Sequence, residues 1–301
     1  MSISSPIILA LLFIAGYLLK FVQGVPKDLY QKINTFIIFL PLPAITLLNI
    51  PNLTFSTEVA FPILSAWLVF ALAIPFFYLW KHIFNWSMNT YACLVLVCGL
   101  GNTSFIGFPI IETMYGKENM LYAILVDQSS FVILSTVGVV WASSFGVGKI
   151  DLKQILLRLI KFPPFVVFMV ALFINGESLH PIQPILHFLG SLMVPLAIFS
   201  IGMQFKLLVT DIDYKAFTTG LVYKLLLFPT VLCLLLFVLL KKEGLLYDIT
   251  FIECAMPPMI TASIIASKYN LNDQLGNALV TYGIPISFAT IWLWSLLLNH
   301  F

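Results

Sequence analysis

The sequence predicts an all-α integral membrane protein, with ten transmembrane helices built as two inverted five-helix repeats and with helices four and nine broken and crossing. Three observations lead there. Apolar runs of about 20 residues recur to the end of the chain, long enough to cross the hydrocarbon of a bilayer. One of them, Leu94 to Tyr115 (LVLVCGLGNTSFIGFPIIETMY), carries Gly99, Gly101, Asn102, Thr103, Gly107 and Pro109 in its middle. The chain also matches itself at a single offset of 154 residues.

Composition excludes most other classes. Of 301 residues, 60% are hydrophobic and only 9% charged, where a soluble domain has about 25% charged. The net charge of +2 comes with no basic cluster outside short loops, so no nucleic-acid partner is expected. Cys93, Cys98, Cys233 and Cys254 all lie in or beside apolar segments without metal-ligand spacing and read as buried, inert thiols. The histidines His82, His180, His187 and His300 fall in loops or at span ends and receive no role. No metal or cofactor is expected. No nucleophile–base pair, metal cluster or phosphate loop is present, so an enzyme is not expected either. No Lys or Arg precedes the first apolar stretch, so no cleaved secretory signal is expected.

The spans follow in order. The first runs from Pro6 to Val22. The second, Ile33 to Ile50, contains Pro41 and Pro43, and the third, Val59 to Trp80, contains Pro75. The interrupted segment is the fourth. The fifth, Leu121 to Ser143, carries Asp127 and Gln128. A polar linker with Lys149, Asp151, Lys153, Arg158 and Lys161 forms a short amphipathic helix leading into a short sixth span, Pro163 to Ile174. The seventh, Ile185 to Phe205, contains Pro195; the eighth, Phe217 to Leu240, contains Lys224 and Pro229. The ninth, Ile249 to Tyr269, contains Pro257 and Pro258, and the tenth runs from Leu275 to Leu298. The repeats are therefore residues 1–147 and 163–301, joined by a cytoplasmic linker at 148–162. With both termini outside, eleven of the fifteen Lys and Arg fall inside and three outside, the orientation that the positive-inside rule favours. Most of the 27 phenylalanines face lipid or pack between helices.

The fourth span is expected to break because its middle disfavours a helix; the alternative is a kinked but unbroken helix packing on small residues. Each glycine weakens it, and Pro109 lacks a donor and crowds the preceding turn, lying just past the break in the second half-helix. Freed backbone groups are tolerated at that depth only where protein or a water-filled cavity satisfies them. The offset of 154 gives the break a partner. It lays Pro41 on Pro195, Pro75 on Pro229 and Tyr115 on Tyr269, and it places Asn102, Thr103 and Ser104 over Met256, Pro257 and Pro258. Five spans per half make the second repeat inverted. Interrupted segments at matching positions of inverted halves mark a transporter's central site, and half-helix N-termini aimed at the crossing favour an anion.

GNTSFIGFP at 101–109 followed by MYG at 114–116, ECAMPPMITASIIASKYN at 253–270 and PLPAITLLNI at 41–50 resemble the motifs of the auxin efflux carrier family, which includes bacterial members and the plant PIN carriers. The resemblance covers all ten spans, with the fourth and ninth the specific ones. It implies a fold like that of the bile-acid sodium symporters, in which spans four and nine cross in a mobile transport domain and spans one, two, six and seven form a scaffold. It further implies elevator-type movement, a homodimer, a bacterial inner-membrane location with both termini periplasmic, and export or exchange of small carboxylates such as malonate or malate. The plant members' long cytoplasmic loop is absent.

Individual residues carry paired readings. Asn102 binds a substrate carboxylate through its amide, or caps the second half-helix. Thr103, Gln128 and Ser130 are further candidates to line the site. Pro257 and Pro258 open the crossing where a cation sits in sodium-coupled relatives, or merely kink the helix. Gly101, Gly107, Pro109, Pro41 and Pro195 are the expected helix-breaking positions. Asp127 takes up a proton and couples it to transport, or pairs near the outer interface with Lys117. Lys224 neutralises the substrate or pairs with Asp127, or it snorkels to the cytoplasmic side. Glu112 reads as solvated, Asn49 as a helix-end cap, and Glu253 as a weak candidate to face the cavity. The expected function is secondary transport of a small organic anion, as uniport or linked to protons. A sodium-coupled symporter and a channel-like facilitator are the alternatives, and the lack of an acidic pair at the crossing argues against sodium.

Overall fold

The computed structural model describes residues 6–26, 28–54, 56–147, 152–205 and 212–298. Among them every regular element is helical. In chain order these are α1 (Pro6–Leu19), α2 (Leu29–Asn52) and α3 (Thr57–Phe84), α4 (Met88–Cys98), α5 (Phe108–Tyr115), α6 (Lys117–Phe145), α7 (Leu152–Lys161), α8 (Pro163–Ala171), α9 (Gly176–Gln204) and α10 (Tyr214–Leu239), α11 (Leu245–Cys254), α12 (Ile260–Lys268) and α13 (Asp273–Leu298).

Six of these, α2, α3, α6, α9, α10 and α13, are long and apolar enough to cross a membrane. The remainder are shorter for visible reasons. The chain leaves α4 at Gly99 and α11 at Ala255. α8 opens on Pro163 and Pro164 and has nine residues, about 14 Å of rise. α7 carries Leu152, Leu156 and Ile160 exposed at a spacing of four, which is the amphipathic linker helix expected from sequence. Lys27, Lys149, Asp151 and Lys206 lie outside the described residues, as does the side chain of Arg158.

Prolines shape the long helices locally. α2 is interrupted at Leu40 (φ −127°, ψ −65°) and resumes with Pro41 in its first position, where a missing N–H costs nothing. α9 is interrupted at Leu192 and resumes at Met193, two residues before Pro195. Upstream of Pro109 and of Pro229 the helix widens into π-helical turns, Thr103–Gly107 and Tyr223–Leu227. Such a bulge accommodates the ring and frees carbonyls. Trp294 uses one of these, donating its indole N–H to Leu225 O at 3.0 Å.

The chain divides into two compact units, each drawn from both ends of the sequence. The first comprises Met1–Ser56, Ser104–Ile124 and Leu157–Lys206. Within it α1 crosses the end of α9 at unusually close range, and the two helices end on the same side. A Cβ at Gly16 would overlap the Phe199 carbonyl, and one at Gly202 the Phe13 carbonyl. Lys20, at the end of α1, donates to Phe205 O, the carbonyl that closes α9, and its ammonium lies 4.1 Å from the centre of the Tyr17 ring. A cation at a helix C-terminus is favoured by the dipole.

The second unit comprises Thr57–Thr103, Leu125–Leu156 and Leu207–Phe301. α4 is its centre. Ser87 caps it by accepting from Thr90 N at 3.1 Å, and every residue from Tyr91 to Cys98 is buried. α3, α10, α12, α13 and the end of α6 surround it. All four cysteines are buried free thiols.

The close α1–α9 crossing has a direct test. Gly202→Val must push the helices apart and is expected to cost about 1–3 kcal/mol, the usual range for overpacking, read as a lower melting temperature in detergent. An unchanged melting temperature would show that the crossing is looser than this.

Candidate functional site

The breaks in α4 and α11 meet, and backbone accounting explains how. Pro257 and Pro258 have no N–H to give to the carbonyls four residues earlier, Glu253 and Cys254. Glu253 O is met instead by Met256 N at 3.3 Å. Cys254 O receives the Lys224 ammonium at 2.9 Å. On the other strand, the chain leaves the helix before Gly101, so Val97 O lacks its helical donor, and Met259 N supplies one at 3.3 Å. Asn102 N donates to Pro257 O at 2.8 Å, and Gly101 and Pro258 form an antiparallel bridge. The two interrupted segments thus complete each other through a short stretch of extended backbone. Gly101 is required there: a Cβ would come within 3.3 Å of both Glu253 O and Lys224 Nζ.

Side chains add a buried polar cluster. Thr103 Oγ1 donates to Asp127 Oδ1 at 2.6 Å, and Gln128 Nε2 donates to Asp127 Oδ2 at 3.3 Å. The amide nitrogen of Asn102, Oε1 of Gln128 and both carboxylate oxygens of Glu253 are buried without a hydrogen-bond partner among the described residues. Glu253 lies within electrostatic reach of Asp127 and of Lys224. Lys224 and Glu253 are both 0% exposed. Gly101, Thr103, Ser130, Lys224, Glu253 and Cys254 line a cavity of about 10 Å³, room for a single water.

A family model described as membrane transport protein matches residues 2–295. The chain belongs to that family, the auxin efflux carriers. An uncharacterized transporter of Methanocaldococcus jannaschii is 26% identical, with 97% of each chain aligned. Another, from Methanothermobacter thermautotrophicus, is 24% identical, with 95% of each chain aligned. This carrier is therefore a multi-pass membrane transport protein and not an enzyme.

Most residues singled out in the carrier's sequence gather in the second unit. Gly101 and Asn102 form the break, Thr103 opens the π-helical turn, and Asp127, Gln128 and Ser130 come from α6. Gly107 lies within that turn and Pro109 in the first turn of α5. Pro41 and Pro195 belong to the first unit. Lys224 does not snorkel; it is sealed inside and bonded to Cys254 O. Lys117 pairs with Glu112 at 3.4 Å. The expectation that no acidic pair stands at the crossing needs correction: Asp127 and Glu253 both approach it, although 126 positions separate them in the chain. The one local signal for Glu253 was its place a helical turn before the double proline.

Sequence reasoning also missed a second cavity, inside the first unit. It measures about 480 Å³ and is lined by Asn49, Asn52, Glu112, Lys117, His187 and Ser191, among others. That is within the size range of small-molecule sites. Asn49 itself donates to Ile45 O at 2.8 Å at the end of its helix.

If Lys224 replaces the donor that Pro258 lacks, the two residues are coupled. Lys224→Met orphans Cys254 O and is expected to cost about 1–3 kcal/mol. In a Pro258→Ala background, with an N–H restored at 258, the same change costs less by about 0.5 kcal/mol or more. Additive losses of melting temperature in this double-mutant cycle would refute the substitution of donors.

Proposed function

We propose that this carrier is a secondary transporter of small organic anions, of the mono- or dicarboxylate class, with its site at the crossing of α4–α5 and α11–α12. The observation that carries the reading is the crossing itself. Two interrupted helices pair through their backbones, and the break carries a buried, unpartnered amide donor, Asn102 Nδ2, followed in sequence by Thr103. A donor that finds nothing within the protein suits a carboxylate acceptor, since leaving it unpaired costs about 1–3 kcal/mol. α12 begins at Ile260, two residues beyond the crossing, and the positive end of its dipole favours an anion. Gln128 and Ser130 complete the proposed lining, and Asp127 holds Thr103 in place.

Ten spans in two inverted repeats remain the proposed topology. The six long helices, α1, α8 and the two interrupted pairs supply ten crossings. At the offset of 154, residues 99–102 fall on 253–256, so the break after α4 overlaps the one that begins at Ala255. Both termini then lie on the periplasmic side of the inner membrane. The family resemblance adds a homodimer and elevator-type movement, in which the unit holding the crossing travels as a body.

Sodium coupling is the second reading, favoured by the proximity of Asp127 to the unpaired oxygens of Glu253. Against it, the Lys224 ammonium already occupies the end of α11.

The purified protein's melting temperature, measured against a panel of small carboxylates with and without sodium, separates these readings. A ligand at about 100 times its dissociation constant adds about 2.7 kcal/mol. Stabilisation by a carboxylate without a sodium effect is expected, and Asn102→Ala and Thr103→Val should each weaken it by about tenfold or more, as for a lost bond to a charged group. Stabilisation by sodium alone would overturn the uniport and proton-linked forms.

A further inference from the structure

We infer that Glu253 is the proton-binding group of the crossing, loading and releasing one proton in each cycle. This deepens the transporter reading above and rests on it. Glu253 ends α11 one turn before the double proline, is 0% exposed, and has neither carboxylate oxygen hydrogen-bonded among the described residues. An ionised carboxylate held that way, away from water, carries a large desolvation penalty, and binding a proton removes the charge. Asp127 differs, because both of its oxygens accept hydrogen bonds, from Thr103 and Gln128.

Two charged groups act on Glu253: Asp127 from α6 and Lys224 from α10. Cys254 follows it on its own helix, and Ala66 and Val69 of α3 line the same cavity. Lys224 is held to the Cys254 carbonyl, so its charge is tethered to the end of α11. In the proton-loaded state, Glu253 is neutral and Asp127 and Lys224 balance. In the released state, Glu253 is ionised beside both. The cavity it shares with Ser130 and Thr103 has room for the one water needed to pass a proton. Loading converts a Glu253 carboxylate and a proton from one aqueous phase into the carboxylic acid; release to the other phase reverses it, with no other reactant.

Infrared spectroscopy of the purified protein across a pH titration tests this without a substrate. The expected result is a protonated-carboxyl band that is lost as pH rises, shifts on carbon-13 labelling of glutamate but not of aspartate, and is absent from Glu253→Gln. The labelling comparison decides the point even where the variant does not fold. A band that persists in folded Glu253→Gln, that follows the aspartate label, or that stays constant at every accessible pH would overturn the inference. Loss of the band on adding sodium at fixed pH would overturn it in favour of a sodium site. In proteoliposomes, radiolabelled malonate flux should lose its pH dependence in Glu253→Gln. A protein that shows the titrating band but moves and binds no carboxylate would instead refute the anion-transport reading.

Discussion

Two adjacent prolines remove two consecutive donors between α11 and α12, and the second unit is organised around replacing them. Glu253 and Cys254 are buried, so each orphaned carbonyl must find a protein partner. Met256 serves one and Lys224 the other. The broken α4 segment then closes the remaining gaps through Asn102 N, while Met259 returns a bond to Val97. A kink in one helix would have left these groups unpaired. A matching break in a second helix satisfies both.

Using a lysine as a backbone donor has consequences beyond the hydrogen bond. It brings a full positive charge into a sealed interior, where only nearby negative charge and the dipole at the end of α11 offset it. The same device recurs in the first unit, where Lys20 closes α9 at Phe205. The difference is exposure: Lys20 reaches its carbonyl from the periphery, lying over aromatic rings, whereas Lys224 has no route to solvent in this conformation. The crossing therefore combines a structural lysine with two buried acidic groups, Asp127 and Glu253, within electrostatic reach of each other.

Each unit holds a cavity of its own. In the second unit the unpaired Glu253 carboxyl lines a space for one water, and in the first a space of small-molecule size lies among Asn49, Glu112 and His187.

Local backbone chemistry was written in the sequence. Glycine and proline set where α4 and α11 stop, and the linker between the fifth and sixth spans read as a short amphipathic helix. These features depend on a few neighbouring residues, so they survive without a tertiary structure. The interruptions at Leu40 and Leu192, the π-helical turns and the nine-residue length of α8 were less legible, because packing decides how a helix absorbs a proline. What only the tertiary structure decided is partnership. Lys224 meets a carbonyl 30 residues away, Thr103 meets Asp127 at a separation of 24, and Glu253 comes within reach of Asp127 from the other end of the chain. A sequence lists the donors and charges, but whether each is paired, orphaned or sealed from water is set by which helices pack together.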